Sequence, residues 1–154
     1  MFKLLVFALT LSSCLVFSLT AGLPSPPEVA NKTYTVVFTN KVNWYKAEQL
    51  CNFNKMTLAT VDSIEDSDNL SDLLDDKGLT SSTYQFWLGG TDNALTGDWY
   101  WFGTGAPVVY TSPWLTGKPG NANKNDHCMS LQDGDSWTVT NCAKELYFIC
   151  QNLC

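Results

Sequence analysis

The chain has 154 residues, 15 of them acidic and 9 basic, a formal net charge of −6 and not one arginine. An acidic chain without guanidinium groups lacks the bidentate contacts that read phosphates and guanine edges, so nucleic acid is not an expected partner. A single histidine, with no phosphate-cradling glycine loop and no metal-ligand cluster, offers no nucleophile and base pair, so the chain is not expected to be an enzyme.

Met1, Phe2 and Lys3 precede an apolar run from Leu4 to Leu19 that closes on the small residues Thr20, Ala21 and Gly22. A lone lysine, an apolar stretch and a small-residue end predict a signal peptide over residues 1–22 and hence a secreted, extracellular protein. No later apolar stretch is long enough to span a bilayer, which needs about 20 residues. Residues 23–33 open with Leu23-Pro24-Ser25-Pro26-Pro27, where prolines without amide donors cannot continue a helix, and read as a stiff leader. The remaining length suits one domain. Asn31-Lys32-Thr33 and Asn69-Leu70-Ser71 are N-glycosylation sequons. Cys14 lies within the signal, leaving Cys51, Cys128, Cys142, Cys150 and Cys154. In an exported chain four of these can make two disulfides, and the fifth is a free thiol or joins another chain.

Tyr34 to Phe38 is β-branched and aromatic and predicts a first strand. Asn43 is placed to cap a helix running from Trp44 toward Asn54, with Ala47, Leu50 and Cys51 on its inner face. Ser63-Ile64-Glu65-Asp66 resembles a capping box and opens a second helix that ends near Gly78. Ile64, Leu70, Leu73 and Leu74 form its buried stripe, and Asp66, Asp68, Asp72 and Asp76 its solvated face. Short apolar pieces follow at 86–88, 99–102, 127–131, 137–140 and 146–151, separated by Gly, Pro, Asn and Asp. Two helices followed by short strands predict an α+β fold with antiparallel sheets. The loop from Gly103 to Asp126 is long enough to be functional or packed by its own side chains.

Trp44-Tyr-Lys-Ala47-Glu48-Gln-Leu-Cys51 with Leu58-Ala-Thr-Val-Asp-Ser63, then Phe86-Trp87-Leu88-Gly89-Gly90-Thr91-Asp92 and Gly97-Asp98-Trp99-Tyr100-Trp101, resemble the C-type lectin-like domain. Trp114, His127-Cys128, Trp137, Cys142 and Phe148-Ile149-Cys150 continue the pattern in order, so the resemblance covers 34–151 and leaves 152–154 as a tail carrying Cys154. It implies a C-type lectin-like fold, two helices flanking short antiparallel sheets with a long loop region, and disulfides Cys51 to Cys150 and Cys128 to Cys142. Closing loops of about 100 and about 15 residues contributes on the order of 4.7 and 3 kcal/mol on the chain-entropy model. Trp87, Trp99 and Trp101 are expected in the core.

Sugar-binding members of the family hold calcium in the long loop, where it bridges carboxylates to two sugar hydroxyls. Their ligands come from a Glu-Pro-Asn or Gln-Pro-Asp triplet, an acid before the third cysteine and an Asn-Asp pair after a tryptophan. Here the triplet is Lys118-Pro119-Gly120, the pair is Thr138-Val139, and Asp126 alone matches. An ammonium has no acceptor to offer a metal, so the usual calcium-dependent sugar site is expected to be absent, and no cofactor is expected. Asp92, Asn121 and Asp126 can contribute oxygens to an auxiliary calcium, Asp92 and Asn121 falling near positions used by some relatives. The family's proline is commonly cis, which extends to Pro119 as an expectation. Lys118, Asn121, Asn123, Asn125 and Asp126 supply amides and charge that can engage a glycan without metal, and His127 is read as a surface histidine. The expected function is recognition of glycans on cell or pathogen surfaces, in innate immunity. The alternative is a protein-binding subunit, disulfide-linked through Cys154.

Overall fold

β-Branched residues carry the first strand past Phe38: β1 spans Tyr34–Val42. The protein is described here by a computed structural model over residues 32–120 and 125–152. Asn43 ends the strand and caps α1 (Trp44–Phe53), its side chain accepting the Lys46 amide at 2.9 Å. A three-residue strand β2 (Met56–Leu58) follows, too short to leave a period-2 signature in the sequence. Ser63 caps α2 (Ile64–Asp76) by accepting from the Asp66 amide at 3.1 Å. Then come β3 (Gln85–Thr91), β4 (Tyr100–Trp101), β5 (Asp126–Gln132), β6 (Ser136–Asn141) and β7 (Leu146–Asn152).

All seven strands join one sheet with the path β1-β7-β3-β5-β6, β2 adding to β7 and β4 to β3. The pairings are antiparallel except β3 with β7, which run parallel through Phe86 to Tyr147 and Trp87 to Phe148. The architecture is therefore α+β around one mixed sheet rather than separate antiparallel sheets. A parallel neighbour cannot be joined by a tight hairpin, and here β4, the long loop, β5 and β6 all intervene. β7 also pairs with β1, Tyr34 opposite Gln151, so the two ends of the described domain lie side by side.

Two apolar clusters lie against this sheet. One gathers Leu70, Leu74, Leu88, Met129 and Ile149 with Trp99, Trp101 and Trp137; the other gathers Trp44, Ala47, Leu58, Trp87 and Phe148 around the four described cysteines. Those cysteines form two disulfides, Cys51 to Cys150 and Cys128 to Cys142. The first ties α1 to β7 and the second ties β5 to the end of β6. Trp87, Trp99 and Trp101 are all core residues, at 0, 7 and 0 % exposure.

Three side chains depart from the helical-wheel reading. Ile64 is 68 % exposed, because as the first residue of α2 it precedes the turn that turns toward the core; Leu70 and Leu74 carry the buried stripe. Asp66 is half-buried, paired with Lys32 at 2.5 Å and accepting the Asp62 amide at 2.9 Å, while Asp68, Asp72, Asp75 and Asp76 face solvent. Glu48, on the inner face of α1, is 6 % exposed.

Candidate functional site

The loop between β4 and β5 is organised by aromatic packing. Trp99 meets Trp114 edge to face at 5.2 Å, Trp114 meets Trp137 at 5.5 Å, and Trp101 and Tyr110 reach Trp137 at 5.8 and 6.0 Å. Backbone bonds follow the same path: the Trp137 amide donates to Pro113 at 2.8 Å, the Leu115 amide to Trp137 at 3.0 Å and the Val108 amide to Trp99 at 2.9 Å. The loop is thus built on β6 by its own side chains, as its length foretold.

Beyond Leu115 the chain turns through residues 116–119, with the Lys118–Pro119 peptide cis and Gly117 at a φ of +81°. The Lys118 amide donates to Leu115 at 2.8 Å and the Gly120 amide to Gly117 at 3.1 Å. A side chain at Gly120 would place its Cβ 2.6 Å from the Gly117 carbonyl oxygen, inside van der Waals contact. The backbone as formed therefore admits no side chain at Gly120. Val139 points into the core, paired across the strands with Met129 and 7 % exposed.

The loop returns at Asp126, the half-buried first residue of β5, across from Asn141. His127 comes next and is not a surface histidine: its side chain is 20 % exposed and its Nδ1 lies 2.8 Å from Oδ1 of Asp92, which is fully buried. Oδ2 of Asp92 accepts the Gly97 amide at 2.7 Å. The Thr91 hydroxyl and the Asp92 amide both donate to the His127 carbonyl, at 2.6 and 3.2 Å. Nearby, the Asn93 amide group donates to the Tyr45 hydroxyl at 2.9 Å and faces the Cys142 sulfur at 3.6 Å.

The sequence profile of the lectin C-type domain matches residues 40–152. This chain belongs to the C-type lectin domain family. It is 33% identical over 131 residues to C-type lectin mosGCTL-7 of Culex quinquefasciatus, across 77% of this chain and 73% of the relative. It is 30% identical over 124 residues to salivary C-type lectin 1 of Aedes albopictus, across 75% of this chain and 80% of the relative. Among solved structures, the mouse scavenger receptor C-type lectin carbohydrate-recognition domain superposes with a TM-score of 0.69 at 24% identity, across 83% of this chain and 95% of that one. That likeness speaks to the fold alone.

A C-type lectin's sugar-binding calcium needs hard oxygen donors, and the described residues do not fit it. Lys118 brings an ammonium, Gly120 has no side chain and a backbone that excludes one, and Val139 brings a methyl pair turned inward. At the auxiliary position each oxygen of Asp92 already faces a hydrogen-bond partner of this chain, His127 Nδ1 and the Gly97 amide. Among the described residues no group of three or more His, Cys, Asp or Glu is placed to hold a metal ion. Of the expected ligand-binding residues, Lys118 sits half-buried in the prolyl turn, Asn125 is exposed and Asp126 is half-buried. Asn121 and Asn123 lie outside the described residues, as do Asn31, Cys154, the signal and most of the leader. Sequence reasoning missed the Asp92–His127 pair, which unites residues 35 apart; the only available hint was the chain's one histidine beside an acid at a ligand-matched position.

Proposed function

We propose that this C-type lectin family member is a secreted, extracellular recognition protein that binds glycans on pathogen or cell surfaces, in innate immunity, without the family's usual calcium-dependent sugar site. One observation carries the reading: in the prolyl turn Lys118 brings an ammonium where the family has a ligand, and the backbone at Gly120 excludes a side chain. Frame and metal chemistry part within the Lys118-Pro119-Gly120 triplet. Lys118, Asn121, Asn123, Asn125 and Asp126 are the proposed glycan contacts, an ammonium, amides and a carboxylate that hydrogen-bond hydroxyls directly. The apolar run of residues 1–22 supports export, and the sequons at Asn31 and Asn69, the latter exposed on α2, are the proposed glycosylation sites.

A glycan array read in calcium and again in chelator tests this. Binding that survives the chelator is the expected result. Mannose or galactose binding lost with calcium would overturn the reading of Lys118, Gly120 and Val139.

A second reading has its own observation. Cys51, Cys128, Cys142 and Cys150 pair among themselves, so none of them is available to Cys154. A protein-binding subunit disulfide-linked through Cys154 would run as a dimer on non-reducing gels, and Cys154→Ser would abolish that dimer. A monomer throughout would remove this alternative.

A further inference from the structure

A buried carboxylate is costly unless its charge is answered by partners. Asp92, at 0 % exposure just past β3, has among its partners the His127 ring and the Gly97 amide. The two side chains share one hydrogen across 2.8 Å, and toward a carboxylate, which as an anion only accepts, the ring Nδ1 of His127 is the donor. The Thr91 hydroxyl and the Asp92 amide hold the carbonyl of the same histidine. Side chain and backbone together fasten the second residue of β5, where the long loop re-enters the sheet, to the end of β3 and to the 92–97 turn.

We infer that His127 takes the place of an auxiliary calcium in this chain: the Asp92–His127 pair, reinforced by the Gly97 amide, is a metal-free latch that holds the returning end of the long loop. Calcium takes six to eight oxygens at 2.3–2.6 Å. Here a ring nitrogen stands 2.8 Å from Asp92 Oδ1, and it brings no oxygen to such a shell. The latch concerns how the loop is held and not what it binds, so it extends beyond the glycan reading.

The test uses the full secreted chain, melted in millimolar calcium chloride and in EDTA, with calcium chloride titrated calorimetrically into the metal-free protein. The two melting curves should coincide within about 1 °C, with no saturable heat of binding. His127→Ala should melt roughly 3–6 °C lower in both solutions and speed hydrogen exchange at the Gly97 amide. His127→Asn, whose amide can still donate to Asp92, should recover part of both losses. A wild-type midpoint several degrees higher in calcium, with a saturable heat, would overturn the inference, as would His127→Ala behaving like the wild type. If His127→Ala does not fold, the wild-type measurements decide alone. Glycan binding that needs calcium in a protein whose melting ignores it sinks the function proposed above and leaves the latch; calcium-dependent melting with chelator-resistant glycan binding does the reverse.

Discussion

The Glu48 carboxylate reaches from α1 to β2 and accepts the buried Leu58 amide at 2.8 Å. Its other oxygen accepts from the Thr57 hydroxyl and the Asn52 side chain, each at 2.9 Å. A short strand that pairs with only one neighbour gains its second set of contacts from this acid. Glu48→Ala strands a buried amide and a buried hydroxyl, and should cost about 2–4 kcal/mol in urea unfolding. Glu48→Gln keeps one acceptor and should cost about half as much. Equal losses for the two variants would show that packing rather than hydrogen bonding holds β2.

Trp137 is the ring on which the long loop is assembled, touched by Trp101, Tyr110 and Trp114. Trp137→Ala should cost about 3–5 kcal/mol, the range for truncating a buried aromatic residue. It should also expose the loop to limited proteolysis before the rest of the domain. Phe53, 85 % exposed at the end of α1, is the matched control, and Phe53→Ala should stay within about 0.5 kcal/mol.

The Tyr34 hydroxyl donates to the Thr60 carbonyl at 2.8 Å. Burial, reinforced by the Asp66 and Asp62 carboxylates, pushes its ionisation well above the ordinary tyrosine range. The folded state therefore keeps the proton where the unfolded chain releases it. Stability contributed by the neutral phenol is fully present below the unfolded value of about 10 and is lost progressively as pH rises beyond it. Tyr34→Phe should lose about 1 kcal/mol at neutral pH for the missing hydrogen bond. It should also show a shallower fall in melting temperature above about pH 10.

Lys118→Glu restores a carboxylate to the prolyl turn but leaves Gly120 and Val139 as they are. It should acquire no chelator-sensitive sugar binding, because one carboxylate is far from the six to eight oxygens calcium takes. Calcium-dependent mannose retention on an affinity column by this single variant would show that the remaining ligands are supplied elsewhere.

Local chemistry made much of the fold legible in the sequence. Asn43 and Ser63 announce their helices because a cap acts within three residues, and the tryptophans announce the core because so large an apolar surface must be buried. The order of cysteines and tryptophans led to the family, and Lys118-Pro119-Gly120 and Thr138-Val139 stand in the sequence where its sugar-binding metal ligands are expected. What distant partners decide was not legible. β2 is a strand only because β7 lies beside it, and β3 and β7 run parallel only because the chain passes through β4, the long loop, β5 and β6 first. Glu48 is read from its helix position as one more acid until Thr57 and Leu58 meet it. Ile64 follows the apolar spacing and still faces water, since a first turn extends past the surface it would cover. The Asp92–His127 pair belongs wholly to tertiary structure: neither residue's neighbours in the chain specify the other, and only the pairing of β3 with β5 carries a carboxylate and an imidazole to 2.8 Å.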